Sequence, residues 1–314
     1  MPMRRKQKET VELRFYEIPQ GEPILALLGE EWNRVYGHDN FYLHFHNLME
    51  IGICRKGEGD LIIDEHTYTY GTNSISLIPP NIPHTTISNG MLRNSWEFLY
   101  VDINHIIEEL YGDRIAQKNE AVELVRRSAH LLNDGECPEI TEIINAIIRE
   151  EKRQNPYYRQ MITSYLHALV YEMFRLNEVQ TKTRLEAGGS RTMRQIAGAL
   201  TFVNDHYQEE VKVRTLAQIC GMSETSFRKV FEEYVHMLPM DYVNLVRVQY
   251  ACDLMKHGDD SMDTVAKKVG FSTTSTFNRN FKKFFHTSPY QWKINPQRYE
   301  RKLQSFHVNA LKGW

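Results

Sequence analysis

The chain has 314 residues, 41% of them hydrophobic and 25% charged, a composition typical of a folded protein with more than one domain. The net charge of −2 hides an asymmetry: residues 191–314 carry 18 Lys+Arg and 12 Asp+Glu, a net charge of +6, whereas residues 1–190 carry 20 and 28, a net charge of −8. The absence of an 18-residue apolar run argues against a membrane span, and four scattered cysteines without a CxxC pair argue against a disulfide framework or a zinc site. We therefore expect a cytoplasmic protein with reduced thiols, in which the basic C-terminal part meets phosphates.

The N-terminal third predicts a β domain behind a short tail. Residues 1–10 are basic but no apolar run follows them, which indicates a disordered tail and not a signal peptide. From residue 11 to about 102, short alternating runs such as LIIDEHTYTY are separated by turn signals. Strands this short and closely spaced predict a β-barrel or double-sheet jelly roll, which we place at residues 11–110.

A group of histidines and one glutamate stands out in this region. The segment HFHNLMEIGICRKG contains His44, His46 and Glu50, followed by Gly57, and His84 comes later in PPNIPH. This spacing resembles the first cupin motif, with His84 in the place of the second motif's histidine, although the second motif is otherwise degenerate. The resemblance implies a cupin-like barrel with these four side chains in its interior.

Three roles are open for the four cupin residues. They could bind an effector, hold a divalent metal ion as three imidazoles and a carboxylate, or be buried structural side chains. We favour the effector role. We expect that the protein requires no cofactor and has no catalytic residue. Trp96 and Tyr100, on the strand NSWEFLYVDI, could line the same cavity with an aromatic face for a sugar. The alternative for Trp96 is an ordinary core position.

From Ile103 to Glu178 the apolar residues follow helical spacing. Five of them are spaced 4, 3, 4, 3, the pattern of a short coiled coil: Ile162, Leu166, Leu169, Met173 and Leu176. We favour a helical dimerisation region over residues 111–180; the alternative is that the stripe packs on the barrel. Residues 181–191, with Gly188-Gly189-Ser190, predict a flexible linker.

The segment Met262 to Tyr290 predicts two short helices that meet at a tight corner. Gly270 stands at the corner, where the backbone conformation favours glycine, and Ser272 could cap the second helix. The buried face of that helix is aromatic, with Phe277, Phe281 and Phe284 at i, i+4 and i+7. The pattern is that of a helix-turn-helix, and an ordinary helical hairpin is the alternative for one isolated copy.

The same parts occur a second time, about 50 residues upstream. In LAQICGMSETSFRKVF, Gly221, Phe227 and Phe231 correspond to Gly270, Phe277 and Phe281, with one extra residue in the second copy. With YVNLVRVQYACDLM as a linker helix, the region resembles the DNA-binding domain of the AraC/XylS (arabinose-operon regulator) family. We place this domain at residues 192–300, before a polar tail at 301–314. The family often carries a cupin-like sensor domain, so the two resemblances support each other.

Two departures from the family pattern fall at helix ends. The family usually has Gly-x-Ser/Thr-Pro after the first recognition helix, where this chain has His236 to Pro239, and the second copy has His286 in place of glycine. We expect an altered corner and an intact seven-helix domain.

The resemblance implies two recognition helices about one DNA turn, roughly 34 Å, apart. The residues it places at DNA are Thr225, Arg228 and Lys229 in the first unit and Thr274, Ser275, Asn278, Arg279, Lys282 and Lys283 in the second. Arginine suits guanine and Asn278 suits adenine, whereas Lys282 and Lys283 suit the backbone, and Thr274 and Ser275 could instead bind phosphate. Because Glu224 would repel phosphate, we expect the second unit to dock more firmly than the first.

The function these features predict is that of a sequence-specific transcriptional regulator. A small-molecule effector, for which a sugar is the favoured class, would bind in the barrel of a homodimer and change how the dimer sits on promoter DNA. Family habit favours an activator, which would contact RNA polymerase. The alternatives are a cupin metal sensor or metalloenzyme fused to a DNA-binding module, and a constitutive DNA-binding protein whose barrel only dimerises.

Overall fold

A computed structural model describes residues 11–14, 16, 18–19, 21–37, 43–63, 66–126, 128–181, 191–235 and 237–294. The predicted tails at 1–10 and 301–314 and most of the predicted linker lie outside the described residues. The chain forms two compact units, one from Tyr16 to Ser190 and one from Arg191 onward that also includes the first strand, β1 (Val11–Arg14). No helix in the described part of the chain is long and apolar enough to cross a membrane.

The N-terminal unit contains two facing antiparallel sheets, which confirms the predicted all-β cupin-like class. One sheet has the order β4-β9-β6-β7 and the other has the order β11-β8-β5-β10-β2, with β3 paired to β10. The strands are β2 (Leu25–Leu27), β3 (Asn33–Arg34), β4 (Leu43–His46), β5 (Met49–Lys56), β6 (Gly59–Ile63), β7 (His66–Tyr70), β8 (Ile75–Ile78), β9 (His84–Ser88), β10 (Asn94–Val101) and β11 (His130–Leu132). A 3-10 turn at Glu30–Trp32 precedes β3.

Four helices follow the barrel and share its core. They are α1 (Ile103–Tyr111), α2 (Ile115–Arg126), α3 (Pro138–Arg153) and α4 (Tyr158–Thr181). One hydrophobic cluster joins side chains of β5, β8 and β10, such as Ile51 and Leu99, to Ile144 of α3 and Ile162 of α4. The barrel and the helices that the sequence separated at residue 110 are therefore continuous through their core.

Two expectations for this helical region are wrong. The segment His130–Leu132, which the sequence placed in a helical stretch, is a strand because it adds to the edge of the second sheet beside β8. The predicted dimer seam is also unavailable to a second chain, since Ile162, Leu166, Leu169 and Met173 are buried in the unit's own core and Leu176 packs against it. The alternative, a stripe that packs on its own domain, is what the structure shows.

The C-terminal unit has the expected seven helices in its described residues. They are α5 (Arg191–His206), α6 (Val213–Ile219), α7 (Glu224–Val235), α8 (Pro239–His257), α9 (Met262–Lys268), α10 (Thr274–Phe285) and α11 (Pro289–Ile294). The helix pairs α6–α7 and α9–α10 are the two helix-turn-helix units, and Phe227, Phe231, Phe277 and Phe281 are fully buried, as predicted.

The two helix-turn-helix corners differ by one residue. Gly221 and Gly270 both adopt positive φ, of 61° and 89°. The cap of α10 is Thr273, whose side chain accepts a hydrogen bond from the backbone N–H of Thr276, so the predicted cap at Ser272 is wrong. In the first helix-turn-helix, Ser223 accepts the corresponding hydrogen bond from the backbone N–H of Ser226. The capping residue comes two residues after Gly221 but three after Gly270, so the extra residue of the second helix-turn-helix lies in the turn.

His286, where glycine was expected, keeps the corner at the end of α10. Its φ of 55° and ψ of 20° place it in the left-handed region, and its backbone N–H donates to the carbonyl oxygen of Lys282. This is the usual conformation after a helix C-terminus, achieved without glycine. His236 lies outside the described residues.

The linker helix α8 is tied to the chain that follows α5. Arg247 is buried, and its Nε and Nη2 donate to the carbonyl oxygens of Tyr207 and Glu209, each at 2.7 Å. Its guanidinium also lies 5.6 Å from the ring centroid of Phe271, beside the second corner. Arg247 thus joins the linker helix, the chain that follows α5 and the second helix-turn-helix.

Candidate functional site

The four cupin residues meet inside the N-terminal barrel. His44 and His46 lie on β4 and His84 on β9, in one sheet, where His44 is paired with His84. Glu50 lies on β5 in the facing sheet, paired with Tyr100 of β10. The side chains of both sheets therefore project into one interior, and each of these five residues is at most 1% exposed.

Glu50 is the centre of this cluster, which we call the His–Glu cluster (His44, His46, Glu50 and His84). Its Oε2 accepts a hydrogen bond from the Tyr100 hydroxyl at 2.9 Å and lies 3.2 Å from His46 Nε2 and 3.4 Å from His84 Nε2. Burial alone would raise the pKa of the Glu50 carboxyl, but His84 and His46 beside it hold that pKa well below its usual range. Burial also lowers the pKa of His46 and raises that of Tyr100. The interior therefore holds a carboxylate, a phenol and three imidazoles away from water.

The backbone fixes which ring nitrogens face Glu50. His46 Nδ1 lies 2.7 Å from the carbonyl oxygen of Leu48, and His84 Nδ1 lies 2.9 Å from that of Ile82. Because a carbonyl oxygen can only accept, each Nδ1 carries the hydrogen. The Nε2 atom of each ring therefore faces Glu50, an arrangement that favours a proton or a cation between each ring and the carboxylate.

The donor set fits a divalent transition metal. One ligand atom from each residue of the His–Glu cluster can be chosen so that all lie within 4.8 Å of one another. Three imidazoles and a carboxylate suit such an ion, and metal-binding histidines commonly donate their other ring N–H to a backbone carbonyl, as His46 and His84 do here.

Tyr16 belongs to this interior although the sequence did not indicate it. Its ring stacks on that of Tyr100, with centroids 4.0 Å apart, and lies 5.7 Å from that of His46. Asn47 holds it through two hydrogen bonds, accepting from the Tyr16 N–H at 2.8 Å and donating to the Tyr16 carbonyl oxygen at 3.0 Å. Tyr16 follows Phe15 in the sequence FYEIP, which carries no periodic pattern that could have found it.

Trp96 lies apart from the His–Glu cluster. It is four residues from Tyr100 on the same strand, roughly 13 Å along a strand. Its ring stacks on Phe98 and meets Tyr70 edge to face. The structure thus brings five of the six predicted effector residues together and places Trp96 in a neighbouring aromatic layer of the core.

The residues predicted to read DNA lie on the outer faces of α7 and α10. All are exposed except Thr274, which is half-buried: Thr225, Arg228, Lys229, Ser275, Asn278, Arg279, Lys282 and Lys283. Two of the predicted contacts already have partners within the unit. Thr274 Oγ1 donates to Asp263 Oδ1 at 2.8 Å, and Lys283 Nζ pairs with Asp241 Oδ1 at 2.6 Å.

A carboxylate lies at the start of both recognition helices, α7 and α10. Glu224 begins α7, as the sequence indicated, but Asp263 of α9 brings a carboxylate to the start of α10 as well. Both recognition helices thus begin beside a negative charge, and the predicted difference in docking loses part of its electrostatic basis.

Two family models match the two halves of the chain. The model of the AraC-like ligand binding domain matches residues 33–170, and a helix-turn-helix domain model matches residues 216–294. The chain belongs to the AraC family. It is an AraC-family DNA-binding regulator of transcription with an N-terminal ligand-binding domain.

Curated relatives match both domains of this AraC-family chain. The lactose operon transcription activator of Staphylococcus xylosus is 23% identical over 247 residues, which is 77% of this chain and 82% of that protein. The HTH-type transcriptional activator RhaS of an Enterobacter species is 28% identical over 255 residues, which is 78% of this chain and 85% of that protein.

Similar solved structures include the DNA-binding domain of AdpA in complex with a target DNA. It is 26% identical, covers 33% of this chain and 97% of that chain, and has a TM-score of 0.31. The apo form of a ToxT variant from Vibrio cholerae is 17% identical, covers 84% of this chain and 91% of that chain, and has a TM-score of 0.36.

Proposed function

We propose that this AraC-family regulator activates transcription when a small effector, a sugar or sugar derivative, binds inside the barrel. The observation that carries the proposal is the His–Glu cluster with Tyr100, a set of hydrogen-bonding groups buried together inside the barrel. Ligand sites combine an apolar wall with a few convergent polar groups of this kind. The names of the relatives, an activator of a lactose operon among them, agree with a sugar and with activation.

A thermal-shift screen of sugars and small metabolites tests the effector. A ligand that binds only the folded state raises the melting temperature as its concentration rises. At a ligand concentration of 100 times Kd, the free energy of unfolding increases by about 2.7 kcal/mol. His84→Gln should abolish this shift, whereas His105→Gln, the same change at an exposed position of α1, should leave it intact. An unchanged shift in His84→Gln would place the ligand elsewhere.

DNA recognition completes the proposed activity. The exposed faces of α7 and α10 enter successive major-groove segments, where Arg228 and Arg279 contact guanine and Asn278 contacts adenine. Selection of sites from randomised duplexes by the full chain, with and without effector, tests both specificity and gating. Arg228→Ala and Arg279→Ala should each relax the base preference at a different position, by about 1–3 kcal/mol.

Gating requires that the effector have different affinities for two arrangements of the protein. Effector binding to the barrel would bias one arrangement of a homodimer on two promoter half-sites and so favour contact with RNA polymerase. A promoter occupied and activated equally without effector would leave the barrel with a dimerisation role only.

The proposed homodimer uses the exposed face of α4, because the predicted seam is buried. Met161, Ser164, Ala168 and Tyr171 are exposed and spaced 3, 4, 3, so they form a second stripe of coiled-coil spacing with small residues at its centre. Met161 and Tyr171 are 40% and 47% exposed. Tyr171→Glu should shift the chain from dimer to monomer in sedimentation experiments, and Met91→Glu, at an exposed apolar position outside α4, should not.

A divalent metal in the His–Glu cluster is the second candidate. The observation that favours it is the pair of Nε2 atoms, from His46 and His84, that face Glu50. His44, His46, Glu50 and His84 would hold the ion, which would act as a Lewis acid toward an oxygen-rich effector. Metal analysis of the purified chain, before and after chelation, tests it. A melting temperature that chelation lowers and a divalent ion restores would support the metal, and an effector that stabilises both preparations equally would argue against it.

A further inference from the structure

The second helix-turn-helix contains a carboxylate that holds one of its DNA-facing residues. Asp263 lies on the first helix of the unit, α9, and Thr274 is the first residue of the recognition helix, α10. The corner at Gly270 brings them together although they are 11 residues apart, with Thr274 Oγ1 2.8 Å from Asp263 Oδ1. Lys267 Nζ pairs with the other oxygen of Asp263 at 2.7 Å.

The direction of this hydrogen bond is determined by the chemistry of Asp263. Hydrogen bonds from Lys267 and Thr274 lower the pKa of the Asp263 carboxyl, so that it is ionised and can only accept. The threonine hydroxyl has one hydrogen, and that hydrogen is donated to the carboxylate. Thr274 therefore presents only lone pairs to any further partner.

The neighbouring threonines do not share this property. Thr273 accepts from the backbone N–H of Thr276 at 3.1 Å and donates to its Oγ1 at 2.9 Å, so both hydroxyls serve the cap of α10. Thr274 is thus distinguished from them by its bond to a charged acceptor from another helix.

We propose that Asp263 is a specificity-determining residue, which makes Thr274 an obligate hydrogen-bond acceptor and so selects an exocyclic amino group in the major groove. Only adenine N6 and cytosine N4 donate hydrogen bonds there, whereas guanine and thymine present acceptors at the corresponding positions. A Thr274 that can only accept would also be a poor partner for phosphate. The inference rests on the proposed entry of α10 into the major groove.

The DNA complex should strengthen the effect. Asp263 is exposed in the free chain, with 58% of its side chain accessible, and DNA packed on α10 would exclude water from the pair. A charge-assisted hydrogen bond is stronger where water is excluded, so the hydroxyl is held more firmly in the complex. Discrimination by one hydrogen bond should be about fivefold, the lower end of the range for base contacts.

Three variants of the full chain test the inference by the bases they select from randomised duplexes. Thr274→Val removes the hydroxyl at nearly constant shape and identifies the base position concerned. Asp263→Asn can donate to Thr274, which frees the hydroxyl hydrogen, so the preference for adenine or cytosine at that one position should fall about fivefold. Asp263→Asn combined with Thr274→Val should select the same bases as Thr274→Val alone.

Asp260→Asn is the matched control. It changes the charge by the same amount just before the same helix, α9, where Asp260 pairs with Lys268 at 2.6 Å. A uniform gain in affinity without a change in base preference, in both aspartate variants, would overturn the proposal and leave Asp263 a purely electrostatic role. A Thr274→Val variant that alters no base position would overturn it as well. Wild-type protein that selects no sequence at all would instead contradict the proposed placement of α10.

Discussion

Gly270→Ala should disrupt the second helix-turn-helix far more than an ordinary change to alanine. Gly270 has a φ of 89°, and a Cβ on it would lie 2.6 Å from the carbonyl oxygen of Tyr207 and 2.8 Å from that of Gln208. The backbone conformation costs an alanine about 1–2 kcal/mol, and the forced displacement of the neighbouring backbone adds about 1–3 kcal/mol. Tyr207 cannot move freely, because its carbonyl oxygen accepts from Arg247. The expected loss of stability is therefore about 2–5 kcal/mol.

Hydrogen exchange of the full chain measures this loss for each domain separately. A loss of about 3 kcal/mol should raise the equilibrium constant for opening of the amides in α9 and α10 by roughly 100-fold. Gly112→Ala is the matched control, since Gly112 has a φ of 53° but nothing within 4 Å of the added Cβ. It should show only the backbone cost in its own domain. If protection of α9 and α10 in Gly270→Ala falls no more than protection near residue 112 in Gly112→Ala, the close approach to Tyr207 and Gln208 is not a real constraint.

Three further substitutions test other contacts. His286→Gly should stabilise the C-terminal unit by about 0.5–1 kcal/mol in thermal denaturation, because glycine adopts the left-handed conformation without strain; an unchanged or lower melting temperature would contradict this. Arg247→Lys should cost about 1.5–3 kcal/mol, since an ammonium cannot serve both backbone carbonyls that the guanidinium reaches, and exchange protection after α5 should fall. Burial raises the pKa of Glu97, but Lys152 and Arg55 donate to its carboxylate and lower the pKa overall. Glu97 therefore stabilises the N-terminal unit above about pH 4.3 and loses this effect as the pH falls. In urea denaturation, Glu97→Gln should lower the free energy of unfolding by about 1–3 kcal/mol at pH 7, and stability should then depend less on pH in the acid range. A stability–pH profile that matches the wild-type profile would exclude this role.

Periodicity predicted the elements of this chain better than it predicted their partners. The aromatic stripe of α10 and the two glycine corners could be read from spacing alone, because a buried helix face and a positive φ leave local signals. The apolar stripe of α4 had the right residues, yet a stripe that packs on its own domain and one that packs on a second chain have the same spacing. Only the arrangement of the surrounding helices distinguishes them.

The candidate sites divide in the same way. The spacing of His44 and His46 indicated one shared strand face, since alternate residues of a strand face one side, whereas the place of Glu50 opposite them depends on how the two sheets pack. Asp263 and Thr274 could not be paired from the sequence, because their contact depends on how the corner at Gly270 folds. The strand at His130–Leu132 was missed because three residues are too few to show a period, and its place at a sheet edge is decided by β8.

The enclosed interior leads to a prediction about how an effector enters. All six predicted effector residues are at most 1% exposed, so a ligand can reach them only after part of the barrel opens. Tyr16 covers Tyr100 and His46, and its backbone is held by two hydrogen bonds with Asn47 that must break for it to move aside. Loss of these two bonds in Asn47→Ala should lower the free-energy cost of opening by about 1–3 kcal/mol, since each is worth about 0.5–1.5 kcal/mol.

Stopped-flow tryptophan fluorescence with an effector from the thermal-shift screen measures the entry rate. If opening comes first, the observed rate should level off as the effector concentration rises, and this limiting rate should be about 5- to 150-fold higher in Asn47→Ala. Asn155→Ala, at an exposed asparagine outside the barrel, should behave like the wild-type chain. A rate that stays linear in concentration and is the same in all three proteins would mean that the ligand enters without moving Tyr16. The closed contact between Tyr16 and Tyr100 would then be a feature of the core and not the step that limits access.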